Sequence, residues 1–129
     1  MSGISRYALE QTITGTLYVA LFTDDPTFAG AGVECSYAGY ARTAHAAWST
    51  YNDPAGLYAE RRNTGAITWT GPAGKLYGVG WWGLFDAASG GNLIAHGPFR
   101  DGNGAPWTFD VGGGETPRII DGDLRVRVS

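Results

Sequence analysis

The sequence has 129 residues and a mass of 13.6 kDa, the size of a single domain with a substantial core. Glycine and aromatic side chains are abundant, with 21 Gly, five Trp, seven Tyr and five Phe, whereas charged residues make up only 16%. The net charge is −3 and Lys and Arg form no cluster along the sequence, so we expect no nucleic-acid partner.

Residues 1–15 form the first predicted element, a short helix or arm that docks on the domain or on a neighbouring subunit. Ser2 or Ser5 is a suitable N-cap, and Gly15 ends the helix. A helix of this length is unstable alone and must therefore pack against something. Its predicted packing face consists of Ile4, Tyr7, Ala8 and Gln11.

Two predicted strands, at residues 16–23 and 77–85, are apolar on both faces. Because side chains alternate along a strand, Trp82 points to one face of the second strand and Trp81 and Phe85 point to the other. A strand without a polar face belongs in the middle of a sheet that is covered on both sides.

A glycine-containing turn at residues 86–92 joins the second apolar strand to a partner strand at 93–96. Gly90 and Gly91 are free to adopt positive φ in this turn. Shorter strands are predicted at residues 37–44, 66–70, 107–111 and 124–129, the last with Arg125 and Arg127 pointing outward. Together these elements predict an all-β fold, a single jelly-roll-like β-sandwich over residues 1–129 with a short N-terminal helix.

No residue pattern indicates catalysis, a cofactor or a metal. The two histidines, His45 and His96, have no evident partner nearby in the sequence, and no nucleophile motif is present. Cys35 is the single cysteine, which excludes an intramolecular disulfide, and the adjacent Glu34 opposes formation of a thiolate. No apolar run reaches the roughly 20 residues needed to cross a bilayer, and no secretory signal is apparent, so we expect no membrane partner.

The aromatic residues divide into structural and ligand-facing candidates. Trp48 and Trp107 lie near predicted loops and are the candidates for exposed, ligand-facing side chains. A sandwich of this size has one core, yet two strands are apolar on both faces. We therefore predict a homo-oligomer or an assembly that buries Tyr7, Tyr18 or Trp82 at an interface.

Several motifs, taken in order, resemble a known family. They are Leu-Phe-Thr-Asp-Asp-Pro at 21–26, Gly-Tyr-Ala-Arg at 39–42, Asn-Thr-Gly-Ala-Ile-Thr-Trp at 63–69, Trp-Gly-Leu-Phe-Asp-Ala at 82–87 and Gly-Glu-Thr-Pro-Arg at 114–118. The sequence is similar to the small proteins of tailed bacteriophages that are labelled tail-fibre, head-fibre or capsid decoration proteins. The resemblance covers almost the whole chain and departs from the family pattern at residues 53–62 and 100–114.

This resemblance implies a non-enzymatic structural protein on the virion surface, assembled in the host cytoplasm and contacting the major capsid or appendage proteins. It implies no catalytic residue, cofactor or metal. Because loops commonly carry binding specificity, the two divergent stretches are expected to face a partner. The alternative hypothesis is a carbohydrate-binding module that recognises a host-surface glycan, since aromatic platforms with Asp and Asn in loops suit sugar binding.

Overall fold

The computed structural model describes residues 6–27, 32–100, 103 and 105–128, which form short strands and one short helix. Every strand pairing is antiparallel, which confirms the prediction of an all-β fold. The elements are α1 (Arg6–Thr12), β1 (Leu17–Phe22), β2 (Thr43–His45), β3 (Trp48–Asn52), β4 (Ala59–Asn63), β5 (Ile67–Thr68), β6 (Leu76–Val79), β7 (Trp81–Phe85), β8 (Leu93–Pro98), β9 (Phe109–Val111), β10 (Arg118–Ile119) and β11 (Arg125–Val128).

The N-terminal helix packs on its own domain. Leu9 and Ile13, four residues apart, are buried in the main core, whereas Tyr7 is 72% exposed. The helix therefore packs on the domain with a different side from the predicted face. Contact of Tyr7 with a neighbouring subunit stays a prediction. Arg61 of β4 fixes the helix end by donating from Nε to the Ile13 carbonyl at 2.9 Å. The predicted caps Ser2 and Ser5, and Ile4, lie outside the described residues.

The central sheet has the strand order β2-β1-β7-β8. Both middle strands bury side chains on both faces, as their apolar sequences predict. On the inner face, Val19 is paired with Leu84 and Leu21 with Trp82, and all four belong to the main core. The turn between β7 and β8 has the predicted positive φ at Gly90 and Gly91, 59° and 73°.

Residues 77–85 form two strands rather than the single strand predicted. At Gly80 the chain leaves the β6–β9 pair and enters the central sheet, where the Gly80 amide donates to the Phe22 carbonyl at 3.1 Å. A side chain at Gly80 would collide with Thr108, since an added Cβ would lie 2.7 Å from Cγ2 of that residue. The break lets Val79 and Trp82, three residues apart, enter the same core.

The second-largest sheet has the order β11-β4-β3, and two of its strands, β3 and β4, were not predicted. Strand β4 reads Ala-Glu-Arg-Arg-Asn and shows no apolar alternation, yet it lies in the middle of the sheet. Asn63 ends this strand and is buried; its side chain accepts from the Leu124 amide at 3.0 Å and donates to the Ile120 carbonyl at 3.0 Å. Asn63 thus fixes the start of β11.

Two smaller pairs, β10-β5 and β6-β9, complete the sheets. Strand β10 was not predicted, and β2 covers only the end of the strand predicted at 37–44. Trp69, which follows β5, is buried and donates from its indole nitrogen to the Val19 carbonyl at 3.0 Å.

All four sheets and α1 contribute residues to one main core. Among the described residues, no helix has the length and apolarity that a bilayer crossing requires.

Candidate interaction surfaces

The five aromatic residues singled out from the sequence lie in different environments. Trp82 is only 5% exposed and packs inside the main core, so its side chain is not on the surface of the folded chain. Tyr18 and Trp48 are half-buried, and Trp48 donates from its indole nitrogen to a backbone carbonyl. Tyr7 on α1 and Trp107 before β9 are exposed. The structure does not bring these five side chains together into one site.

The outer face of the central sheet carries a small second core. Ala20, Phe22 and Phe85 are buried there, with the two phenyl rings stacked at 6.2 Å, and half-buried Tyr18 and Trp81 pack against them. This cluster explains why β1 and β7 lack a polar face.

Arg42 covers part of this second core. Its guanidinium carbon lies 3.7 Å from the centre of the Phe85 ring, and its Nη2 atom is 3.0 Å from Oε1 of Glu34. From Nη1 it donates to the carbonyls of Ala87 and Gly90, at 3.0 and 2.8 Å, which ties down the β7–β8 turn. Arg42 thus serves the packing of the chain itself, and its charge is not presented to a partner.

The outer face of the three-stranded sheet is polar and contains arginines from distant parts of the sequence. Strand pairing places Arg62 directly opposite Arg125, and Glu60 opposite both Tyr51 and Arg127. Residues that pair in this way share one face of the sheet. We call this surface the arginine–tyrosine face; it consists of Tyr51, Tyr58, Glu60, Arg62, Arg125 and Arg127.

Glu60 organises the arginine–tyrosine face. Its side chain is 1% exposed and accepts from Nε of Arg62 and Nε of Arg127, each at 2.8 Å, with a further contact from Nη2 of each arginine. The Arg62 guanidinium lies 4.0 Å over the Tyr51 ring and that of Arg127 lies 3.7 Å over the Tyr58 ring. Each guanidinium is therefore fixed by both a carboxylate and an aromatic ring.

The pKa of Glu60 lies below its ordinary value. Burial by itself would raise the pKa, but the hydrogen bonds and positive charges of Arg127 and Arg62 outweigh burial. Glu60 is consequently ionised at neutral pH and neutralises part of the charge of the two arginines.

Sequence reasoning found only half of this surface. The alternation in β11 predicted that Arg125 and Arg127 point outward, and they do. The same alternation of Glu60 and Arg62 was present in the sequence, but only the register of β4 against β11 shows that the two pairs meet. The statement that Lys and Arg form no cluster holds along the sequence but not in the folded domain.

A second surface feature is a stack of three aromatic rings, which we call the aromatic ladder: Phe99, Phe109 and Trp107. Phe99 meets Phe109 edge-on at 5.1 Å, and Trp107 stacks on Phe109 at 5.2 Å. The first two rings pack against the main core, whereas Trp107 is 51% exposed. The Trp107 amide donates to the Phe99 carbonyl at 2.9 Å, which holds the two segments together. The ladder thus extends the core to the surface, and two of its three rings, Trp107 and Phe109, lie in the divergent stretch 100–114.

The histidines and the cysteine lie apart. Nε2 of His45 is 2.8 Å from the Ala47 carbonyl, whereas Nδ1 of His96 is 3.4 Å from Oδ1 of Asp25. Cys35 is buried, and burial followed by the neighbouring Glu34 charge raises the pKa of its thiol to about 11, so the thiol is protonated at neutral pH. In the described part of the chain, no group of three His, Cys, Asp or Glu side chains is arranged to hold a metal ion.

Comparison with known proteins identifies the family. The model of the family described as "Podophage GP4 fiber I protein gp80" matches residues 8–113, which include β1 to β9, the second core and the aromatic ladder. No curated protein matches the sequence. Since the family model spans most of the chain, this protein belongs to the Podophage GP4 fiber I protein gp80 family and is a phage fibre-type virion protein.

Proposed function

We propose that this chain is a non-enzymatic structural component of a phage fibre, exposed on the particle, and that it contacts neighbouring virion proteins through the aromatic ladder. Membership of the fibre family supports a place in a virion appendage. The observation that supports the contact is the half-exposed Trp107, whose position is set by its stacking on Phe109.

A side chain that is already ordered loses less conformational freedom when a partner binds. Trp and other aromatic residues dominate the energetics of protein interfaces because they bury a large area with few rotatable bonds. Trp107 is already stacked in the free chain, so a partner that covers its open side gains burial without first having to immobilise the ring. Another copy of the chain and a different virion protein are both partners of this kind.

The test uses particles that carry Trp107→Ala. We expect fewer copies of this chain per virion, measured by quantitative mass spectrometry against the major capsid protein. Ile120→Ala is the matched control, because Ile120 is 49% exposed, close to the value for Trp107, and lies between β10 and β11, outside both divergent stretches. An unchanged copy number in Trp107→Ala particles would contradict the proposed contact.

Sedimentation of the purified chain distinguishes the two partners. If copies of this chain contact one another through the ladder, the wild-type chain sediments as an oligomer and Trp107→Ala as a smaller species. A wild-type monomer together with depleted Trp107→Ala virions would instead assign the contact to a different virion protein.

The second candidate function is recognition of a neutral host-surface glycan, and the same exposed indole favours it. Sugar rings stack on flat aromatic surfaces whose position is fixed. Titration of tryptophan fluorescence with host polysaccharide tests this candidate, since a bound sugar would change the emission of Trp107 and the change would be absent in Trp107→Ala. No response from the wild-type chain would exclude the glycan function for the ladder.

A further inference from the structure

We propose that the arginine–tyrosine face binds an acidic polysaccharide through its carboxylate or phosphate groups. This inference goes beyond a structural role in the fibre and concerns a different surface from the aromatic ladder. It starts from the charges that β4 and β11 bring together on one side of the sheet.

The face carries more positive charge than its single carboxylate neutralises. Glu60 accepts from Arg62 and Arg127, while Arg125 has no carboxylate partner among the described residues and donates from Nε to the Gly122 carbonyl at 2.9 Å. The chain as a whole has a net charge of −3. The excess of positive charge on this face is therefore a local feature, because the net negative charge of the whole chain would repel a polyanion.

The strand register imposes a cost that an anion would relieve. Arg62 and Arg125 are direct cross-strand neighbours, and like charges in that position destabilise a sheet. An anionic group between the two guanidiniums would turn this repulsion into two charge-assisted hydrogen bonds.

The donors that such an anion needs are not used within the described part of the chain. Arg62 and Arg127 use Nε and Nη2 for Glu60, which leaves the Nη1 group of each without an acceptor from the protein. Both Nη groups of Arg125 are available in the same way. Because Glu60 and the tyrosine rings fix two of the three guanidiniums, little side-chain freedom is lost when a ligand binds.

A polysaccharide fits this surface better than a protein does. Among the described side chains of β3, β4 and β11, none is an exposed large hydrophobic residue. Tyr51 and Tyr58 are half-buried and a guanidinium covers one side of each ring, so they offer a partner less open apolar area than the exposed Trp107 does. A specific protein interface needs an apolar core, whereas a polymer of acidic sugars binds a row of cations by charge and hydrogen bonding.

The test measures binding of the full-length chain to defined polymers by isothermal titration calorimetry. The probes are polygalacturonate for carboxylates and phosphorylated dextran for phosphates, with unmodified dextran as the neutral polymer. We expect one or both acidic polymers to bind, with an affinity that falls as salt rises from about 50 mM to about 300 mM. The polymer that binds identifies the anionic group.

Arg125→Gln is the decisive variant, since Arg125 is exposed and does not support Glu60. We expect its affinity to fall by about threefold to fivefold, the effect of losing one exposed ion pair, and Arg125→Lys to recover part of the loss. Arg118→Gln is the matched control, because it removes the same charge from an exposed position on β10 in another sheet.

Four outcomes would overturn the proposal. They are no binding to either acidic polymer, equal loss of affinity in Arg118→Gln and Arg125→Gln, tighter binding to poly-glutamate, and tighter binding to a DNA duplex. Poly-glutamate as the better ligand would assign the face to an acidic protein partner, and the duplex would assign it to a nucleic acid.

Discussion

The two larger sheets of this domain cover their outer faces in different ways. In the central sheet, Phe22 and Phe85 form a second apolar core, and Arg42 lies over it with its charge paired to Glu34. In the three-stranded sheet, the outer face has no such core and is built from arginines, tyrosines and the buried Glu60. Both faces use a guanidinium stacked on an aromatic ring, but among the described residues only the second face has guanidinium nitrogens without a protein acceptor.

The same stacking contact belongs to the packed interior at Arg42 and to an open surface at Arg127. The Arg42 side chain is only 9% exposed, and it donates to Glu34 and to two backbone carbonyls. The Arg127 side chain is 53% exposed, and within the described part of the chain its guanidinium donates only to Glu60. The difference in exposure and in the number of acceptors separates a structural arginine from one that is open to a ligand.

The largest expected loss of stability follows a substitution in the apolar core beneath the central sheet. Leu84 on β7 is fully buried in the main core, so Leu84→Ala is expected to lower the free energy of unfolding by about 3 kcal/mol. Urea denaturation followed by tryptophan fluorescence measures the loss. Leu57→Ala, at an exposed position, is expected to change stability by less than about 0.5 kcal/mol. A loss at Leu84 as small as that at Leu57 would show that the central sheet does not depend on this core.

The next-largest loss of stability is expected when Glu60, the carboxylate of the arginine–tyrosine face, is replaced. Glu60→Ala leaves Arg62 and Arg127 without their acceptor, and we expect a loss of about 2 kcal/mol, less than for a fully buried ion pair because Arg127 is half exposed. A double-mutant cycle with Arg127→Ala isolates the pair and is expected to give a coupling of about 1 kcal/mol. A coupling near zero would mean that Glu60 acts through packing instead.

A smaller effect is expected when Arg42 is replaced with lysine. Arg42→Lys keeps the charge but cannot reproduce the donation to Glu34 and, at once, to the Ala87 and Gly90 carbonyls. We expect a loss of about 1–2 kcal/mol, measured by thermal unfolding. Arg118→Lys, an exposed arginine on β10, is the control and should have little effect. Equal effects at the two positions would contradict a structural role for Arg42.

The same comparison explains how much of the fold could be predicted. Strands β1 and β7 are apolar on both faces, and this pattern alone placed them in the middle of a covered sheet. Strand β4 is also central, but its Glu-Arg-Arg segment is stabilised by partners on β3 and β11 that lie far away in the sequence. Local periodicity therefore detects a strand that is covered by apolar packing and misses one that is covered by ion pairs.

The candidate surfaces show the same difference between features that a local sequence pattern predicts and features that depend on tertiary contacts. The exposure of Trp107 was predicted from its place near a loop, and the outward direction of Arg125 and Arg127 from alternation in β11. The burial of Trp82 in the main core, and the meeting of Arg62 with Arg125, depend on which faces and registers the tertiary structure selects. Both features depend on contacts between segments many residues apart, and no local sequence pattern shows such contacts.

The smallest expected effect is the pH dependence that Glu60 introduces. Because Arg127 and Arg62 hold the pKa of Glu60 below its unfolded value, the ion pairs stabilise the fold fully above that unfolded value, about 4.3. The stabilisation is lost as the pH falls through the lower, folded pKa. We therefore expect the difference in unfolding free energy between the wild type and Glu60→Gln to be constant near neutral pH and to shrink below about pH 4.

Urea denaturation of both proteins across this range measures that difference. Asp86, whose pKa is lowered chiefly by the bond from the Asn92 amide, is present in both proteins, so its titration cancels. A difference that stays constant down to the acid end of the range would show that the arginines do not stabilise the charge of Glu60, and the likeness between the Glu60–arginine contacts and the Glu34–Arg42 pair would then fail.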